Sequence, residues 1–453
     1  MALTHVPGAA VGIYSRGYIL MAKGYGLANV ELDVPVKPQT VFESGSVGKQ
    51  FVSAAIMMLV QQGRISLHDS IAKYFPDAPA SWKPIEIRNL LSHTSGLSEY
   101  IAPGLTGPAG PFYLRLDFTE DQLLHKIEAL PIEYAAGEKW EYRNTNYVLL
   151  GILIHRVTGM FYADYLAKHI FRPLGMTSTR LISDSAIISN RAAGYEWEND
   201  RLKNQEWVSP TFNSTADGAL YFNVLDLSKW DASLYTTRLL DRSSLNEMWT
   251  VYRLNDGRPN SAGYGFGWRI RRQNGHLVEE HSGAWEGFTC SLTRYPNDSL
   301  TVVVLTNMDS DHARPDYMAP VIAGLADASL LPQQLTQIDD ARPRIASSLA
   351  SFLNALSARA GWRGLVSHDF GESLTAAEAA RTRRLLAPLW PGGSLVLVAR
   401  MPSADDASLL LSQFRITKGA RSLLVTYAID GGGKVETFSL EPDEQYRSTD
   451  LYG

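Results

Sequence analysis

Ser46-Val47-Gly48-Lys49 places a hydroxyl and an amine three residues apart, the spacing at which two side chains share one face of a helix. An amine in that position can take the proton of a serine without a histidine. Residues 51 to 62, FVSAAIMMLVQQ, continue as an apolar helical pattern. Ser46 is therefore expected in the first turn of a helix, whose dipole favours a developing alkoxide or oxyanion. Two rival readings of the same stretch fail. A phosphate loop needs glycine at 43 and serine or threonine at 50, where the chain has Glu43 and Gln50. The nucleophile elbow of α/β hydrolases fails because Ser44 stands where its first glycine belongs.

Two further polar clusters lie downstream, Tyr142-Arg143-Asn144 and His281-Ser282-Gly283. With them the chain resembles the serine β-lactamase and penicillin-binding-protein superfamily. The likeness is to the branch of class C β-lactamases, family VIII carboxylesterases, D-aminopeptidases and D,D-carboxypeptidases. The three clusters look like that superfamily's three signature motifs in their usual order. The stretches VPGAAVGIY, FESGSVGKQF, IRNLLSHTSGL and YGFGW, and the strand ending Leu305-Thr306-Asn307, extend the likeness from about residue 5 to 310.

The chemistry that the resemblance implies is acyl transfer. Ser46 attacks a carbonyl carbon and must lose its proton, for which Lys49 and the Tyr142 phenol are both candidates, left open at this point. A lysine amine at about 10.4 serves as a base only if burial or neighbouring charge lowers it. The resemblance implies that Tyr142 is a general base and acid, and that Asn144 orients Lys49 and the substrate. It also assigns the oxyanion donors to the backbone N–H groups of Ser46 and Ala284. Gly283 and Gly287 would let a substrate approach bare backbone. The β-lactamases of this family carry lysine at the head of the third motif, where this chain has His281. Histidine offers a carboxylate only a weak, pH-dependent hold, and the resemblance implies that members with His-x-Gly are esterases or D-amino-acid peptidases rather than efficient β-lactamases. Asn307 resembles a contact to a substrate carboxylate. His93 is expected to form hydrogen bonds within its own turn.

The expected function is hydrolysis of small esters, amides or peptides through an acyl-enzyme. The alternatives are a class C-like β-lactamase, or a penicillin-binding, peptidoglycan-sensing protein that acylates without efficient turnover. The expected partner is a small-molecule ester, amide, peptide or β-lactam. No cofactor is expected, and His276 and His281 share no metal-ligand spacing with nearby carboxylates. With 45% hydrophobic and 20% charged residues and a net charge of −5, the chain reads as globular, with no sign of a nucleic-acid partner. No apolar run approaches the roughly 18 residues of a membrane span. The single cysteine, Cys290, excludes an intrachain disulfide and leaves the redox compartment open.

The elements that must position these groups follow from periodicity. The fold class is α/β (α+β), serine β-lactamase-like, with an antiparallel five-stranded sheet flanked by helices and a helical insert over residues 50 to 260. Residues 8 to 31 read as a hairpin, and 264 to 306 as three more strands turning at Asn274-Gly275 and Pro296-Asn297-Asp298. The loop over 103 to 113 is placed at the mouth of the cleft. The catalytic domain is assigned to 1–331, a polar linker to 332–344 and a small C-terminal α+β domain to 345–453, NTF2-like or lipocalin-like. That domain is expected to shape the cleft or form a homodimer. The resemblance implies a helix ahead of the first strand that is missing, and no charged-then-apolar leader follows Met1. A trimmed chain would be periplasmic or secreted, and otherwise the protein would be cytoplasmic.

Overall fold

The computed structural model describes residues 5–198, 201–310, 313–331, 337–339, 343–374, 376–402, 410–419 and 421–443. It divides into two compact units, Met1–Pro332 and Gln333–Gly453. Most of the expected linker, 332–336 and 340–342, lies outside the described residues.

The first unit is built on a seven-stranded antiparallel sheet. Its strands are β1 (Gly8–Ser15), β2 (Tyr18–Asn29), β3 (Val34–Pro35), β4 (Arg269–Gln273), β5 (His276–Trp285), β6 (Phe288–Tyr295) and β7 (Leu300–Thr306). They lie in the order β3-β2-β1-β7-β6-β5-β4, so the two ends of the unit meet where β1 pairs with β7. This corrects the expected five strands in two places. The short β3 adds to β2, and the run 264–306 holds four strands because it turns once more at Glu286-Gly287, between the paired residues Trp285 and Phe288. Gly287 takes φ +75°, a conformation glycine adopts at no steric cost.

Both faces of the sheet are covered, which is why β7 reads as a continuous apolar run rather than an alternation. Val302 and Val304 pack with Ala319 and Ala323 of helix Pro315–Ala326, while Val303 and Leu305 join the main core. Into that core run α1 (Lys49–Gln61), α2 (Asn144–Thr158) and α3 (Val224–Leu234). α1 and α2 are apolar almost all round, the pattern of helices enclosed by a core. α2 stops at Gly159, which takes the left-handed conformation of a helix C-cap. Its first N–H, that of Asn144, donates to the Glu99 carboxylate at 2.6 Å, a negative charge where the helix dipole favours one.

A buried ionic cluster ties α3 to the sheet. Arg294 on β6 donates to Asp231 of α3 at 3.0 Å and to Glu279 of β5, and Thr301 of β7 donates to the same Asp231 oxygen at 2.7 Å. All of these side chains are buried, so each charge is tolerated only because its partners are present.

The second unit has its own core, including Leu349, Phe352, Leu353, Phe414 and Tyr427. Helices Pro343–Ser357, His368–Ser373 and Ala376–Leu386 precede four strands, Ser394–Pro402, Leu410–Lys418, Arg421–Ile429 and Val435–Pro442, paired antiparallel in chain order. Three strand-like runs stand out in this part of the sequence, SLLLSQFRI, SLLVTYAI and KVETFSL, and Ser394–Pro402 adds a fourth strand ahead of them. Among the described residues the sheet is open, with the first and last strands at opposite edges, unlike a lipocalin-like barrel. Among the described residues no helix is long and apolar enough to cross a membrane.

Replacing Arg294 by methionine should lower the stability of the first unit by about 3–5 kcal/mol, because it strands two buried carboxylates. Urea unfolding followed by tryptophan fluorescence checks this. An unchanged midpoint would mean that the cluster is not what holds α3 to the sheet.

Candidate active site

Ser46 sits in a short 3-10 turn, Gly45–Gly48, that runs directly into α1, so Lys49 is the first residue of the α-helix proper. The expected one-turn relation holds: Lys49 Nζ lies 2.9 Å from Ser46 Oγ. The amine is fully buried and has two more partners, Asn144 Oδ1 at 2.9 Å and the backbone carbonyl of Asp217. Both of these oxygens can only accept. A neutral amine there spends its two protons on them and turns its lone pair to the Ser46 hydroxyl. Burial lowers the Lys49 pKa to about 8, and the carboxylates of Asp217 and Glu99 oppose the fall.

Tyr142 approaches from the insert side of the cleft. Its ring lies 5.0 Å from Lys49 Nζ and 4.2 Å, between centroids, from His93. Burial holds its phenol well above the ordinary range, against the smaller lowering effect of Ser46. The hydroxyl is thus close enough to Ser46 to feel it, yet it meets no partner at hydrogen-bonding geometry. It remains protonated and available as a donor.

On the opposite wall, the pairing of β5 with β4 ends at Glu280 and Arg269. Beyond that point the outer edge of β5 faces the nucleophile turn. The approach is so close that only glycine fits. A Cβ on Gly283 would stand 2.3 Å from the Ser44 carbonyl and 2.8 Å from the Ser46 nitrogen, and one on Gly45 would stand 2.5 Å from the Ala284 nitrogen. The backbone nitrogens of Ser46 and Ala284 are thereby gathered at one spot, as two oxyanion donors require.

The cleft has two compartments meeting at Ser46. One, of about 480 Å³, is lined by Tyr142, Arg269, His281, Ser282, Gly283 and Ala284 among others. The other, of about 60 Å³, is lined by Ile101, Asn144, Phe212, Asp217, Ala284 and Trp285 among others. The loop over 103 to 113 lines neither of them; its Phe112 is buried edge-on against Tyr100, 5.7 Å between centroids.

Eight of the nine expected site residues thus converge: Ser46, Lys49, Tyr142, Asn144, His281, Ser282, Gly283 and Ala284. Asn307 does not. It is fully buried, and its amide donates to the carbonyls of Leu27 at 3.1 Å and Ala193 at 3.0 Å, so it joins β2 to a neighbouring loop and is turned away from substrate. His281 reaches the cleft wall, but not as the pH-dependent cation expected. It is 4% exposed, both ring nitrogens are engaged, and burial together with Lys49 lowers its pKa to about 3. His93 also differs from expectation. Its Nδ1 accepts from the Arg143 N–H at 3.3 Å and from the Asn146 amide at 3.1 Å, so its bonds leave its own turn for the second motif.

Four groups that sequence reasoning gave no role belong to the site. Asp217 and Glu99 flank the amine, Tyr264 bonds His281, and Arg269 lines the larger compartment. Tyr264 stands in the YGFGW stretch, a signal present in the sequence but without a stated task. Among the described residues no group of three or more histidine, cysteine, aspartate or glutamate side chains could hold a metal.

A serine and a buried lysine on one helix turn, a phenol opposite and two backbone nitrogens at a sheet edge stand in the arrangement that the resemblance to the serine β-lactamase and penicillin-binding-protein superfamily implies for acyl transfer. The chain belongs to the Beta-lactamase family, whose model matches residues 1–327. It is similar to penicillin-binding protein 4* of Bacillus subtilis, 30% identical over 316 residues that cover 65% of this chain and 67% of that one. Protein flp of Staphylococcus aureus is 29% identical over 68% of this chain, and the match spans 61% of flp, under two thirds of its length. Among solved structures, the octameric penicillin-binding protein homologue from Pyrococcus abyssi aligns over 97% of this chain and 93% of its own, with TM-score 0.65 and 22% identity. D-amino acid amidase from Ochrobactrum anthropi SV3 aligns over 72% and 95%, with TM-score 0.62 and 23% identity.

Two outcomes follow from the geometry. With Lys49 as the base, an amine pKa of about 8 predicts that kcat/KM rises with pH through about 8 and levels off above it. A pH–rate profile flat from 6 to 10 would contradict this. Gly283→Ala should lower kcat about a hundredfold or more, the typical loss of one oxyanion donor, because its methyl would force the strand edge away from Ser46. Circular dichroism would confirm that the fold survives.

Proposed function

We propose that the protein is a serine hydrolase in which Lys49 takes the first proton and Tyr142 supplies the leaving-group proton. Its substrates are small esters and amides or peptides of the D-amino-acid type. The observation that carries this reading is the set of partners around Lys49 Nζ: two carbonyl oxygens and the Ser46 hydroxyl. In acylation Ser46 Oγ bonds to the carbonyl carbon as its proton passes to Lys49. The oxyanion rests on the Ser46 and Ala284 N–H groups. The bond to the leaving atom breaks as Tyr142 protonates it, and the Lys49 ammonium returns a proton to the phenol. Water then repeats the sequence against the acyl-enzyme, leaving acid and free Ser46.

Tyr142 lines the larger compartment, which assigns the leaving group to that side and the acyl group to the smaller one. A space of about 60 Å³ walled by Ile101, Phe212 and Trp285 suits a short acyl chain. In the larger compartment Arg269 lies over the Trp140 ring at 5.8 Å, a cation beside the leaving group that suits a terminal carboxylate. Amide and peptide chemistry is also in keeping with similarity to a penicillin-binding protein and a D-amino acid amidase.

Assay of p-nitrophenyl acetate, D-Ala-p-nitroanilide, a D-Ala-D-Ala peptide and nitrocefin, beside Ser46→Ala, tests the reading. Steady turnover of the ester, the anilide or the peptide, abolished in the variant, is expected. A single stoichiometric burst would instead favour a slow-turnover penicillin-binding protein, and efficient nitrocefin cleavage a β-lactamase. Arg269→Ala should raise KM for the D-Ala-D-Ala peptide roughly tenfold or more, the worth of a charged hydrogen bond, and leave p-nitrophenyl acetate unchanged.

A further inference from the structure

The third motif begins with a histidine whose two ring nitrogens are both spoken for. Nδ1 lies 2.6 Å from the carbonyl of Ser282, the next residue along β5. A carbonyl can only accept, so Nδ1 carries the proton. Nε2 lies 2.8 Å from the Tyr264 hydroxyl and, bearing no proton in this tautomer, accepts from it. A second proton on the imidazole would face a phenol already donating to that nitrogen.

The surroundings reinforce the neutral state from every side. Lys49 on α1 and Arg269 on β4 both disfavour a charge on the ring, and no carboxylate is among the groups that shift it. His93, Tyr142 and Trp140 pack around this ring and the Tyr264 ring, and the Tyr264 hydroxyl also meets the phenol of Tyr147, whose own proton goes to the Leu91 carbonyl at 3.0 Å. Tyr264 itself has little freedom. It is fully buried, its N–H donates to Asn260 Oδ1 at 2.9 Å, and its carbonyl accepts from the Asn260 amide at 2.7 Å.

We propose that Tyr264 is a positioning residue for the third motif: by donating to His281 Nε2 it holds the imidazole as the neutral Nδ1–H form, which in turn grips the Ser282 carbonyl and sets the peptide edge that carries the Ala284 donor. The motif therefore works as an uncharged strut for the oxyanion site, and the cation that faces this wall of the larger compartment is Arg269, with Arg314 further along the lining beside Asp309 and Asp316. This rests on the catalytic reading above but is read out separately from it.

The first experiment is ¹⁵N NMR of the histidine-labelled full chain, with His281 assigned by a His281→Asn variant. A pyrrole-type Nδ1 and a pyridine-type Nε2, unchanged from pH 5.5 to 9, are expected. An imidazolium at pH 6, or a proton on Nε2, would overturn the proposal whether or not the protein turns over any substrate. The second is Tyr264→Phe, which removes the hydroxyl and keeps the ring. Its histidine spectrum should show mixed tautomers. Its kcat should fall about two- to tenfold, the worth of one neutral hydrogen bond, with KM for a carboxylate-bearing substrate unchanged. An unaltered tautomer in a folded Tyr264→Phe protein would equally refute the role given to the phenol.

Discussion

Everything in this site depends on an amine being kept out of water. Lowering a lysine from 10.5 to about 8 corresponds to roughly 3 kcal/mol of discrimination against the ammonium, and burial supplies it. Burial alone would leave an amine of undefined orientation. The Asp217 carbonyl and Asn144 Oδ1 remove that freedom by taking two of its protons, so the lone pair has one direction left, toward Ser46. The nearby carboxylates of Glu99 and Asp217 keep the pKa from falling further, which would leave the amine too weak a base to be useful near neutrality.

The fold can be read as the means of bringing those acceptors to one point. α1 brings the amine on its first turn, α2 brings Asn144 on its own, and the Asp217 loop closes the third side. Glu99 serves twice, capping α2 through the Asn144 N–H and adding negative charge near Lys49. The sheet supplies the other wall through the bare edge of β5, and Gly45 and Gly283 allow the two walls to touch. On the same face as α1, the buried Arg294 cluster joins α3 to three strands of the sheet, β5 among them.

Much of this was legible in the sequence because it is local. The Ser46–Lys49 spacing, the apolar run of α1 and the compact Tyr142-Arg143-Asn144 and His281-Ser282-Gly283 clusters carry their meaning in a few adjacent residues. What was not legible depends on burial or on distance along the chain. Asp217 contributes a backbone carbonyl, which no residue type announces. Asn307 has the right amide for a substrate contact, and only its enclosure by Leu27, Ala28 and Ala193 shows that the amide is already committed. Arg269 reads in sequence like any strand arginine until the end of β4 places it beside the third motif. The extra strand of the 264–306 run was missed for a related reason, since Glu286-Gly287 is a two-residue turn inside a run long enough to pass for one strand, and β3 is only two residues long.

The measurement that bears most directly on the account is an NMR titration of the Lys49 side chain, using ¹³Cε-labelled lysine in the full chain with the signal assigned by a Lys49→Gln variant. The account predicts a midpoint near 8 for this one lysine, well below the ordinary lysines of the surface. A midpoint above 10 would mean that the amine is an ammonium throughout the working range, and that some other group takes the proton of Ser46.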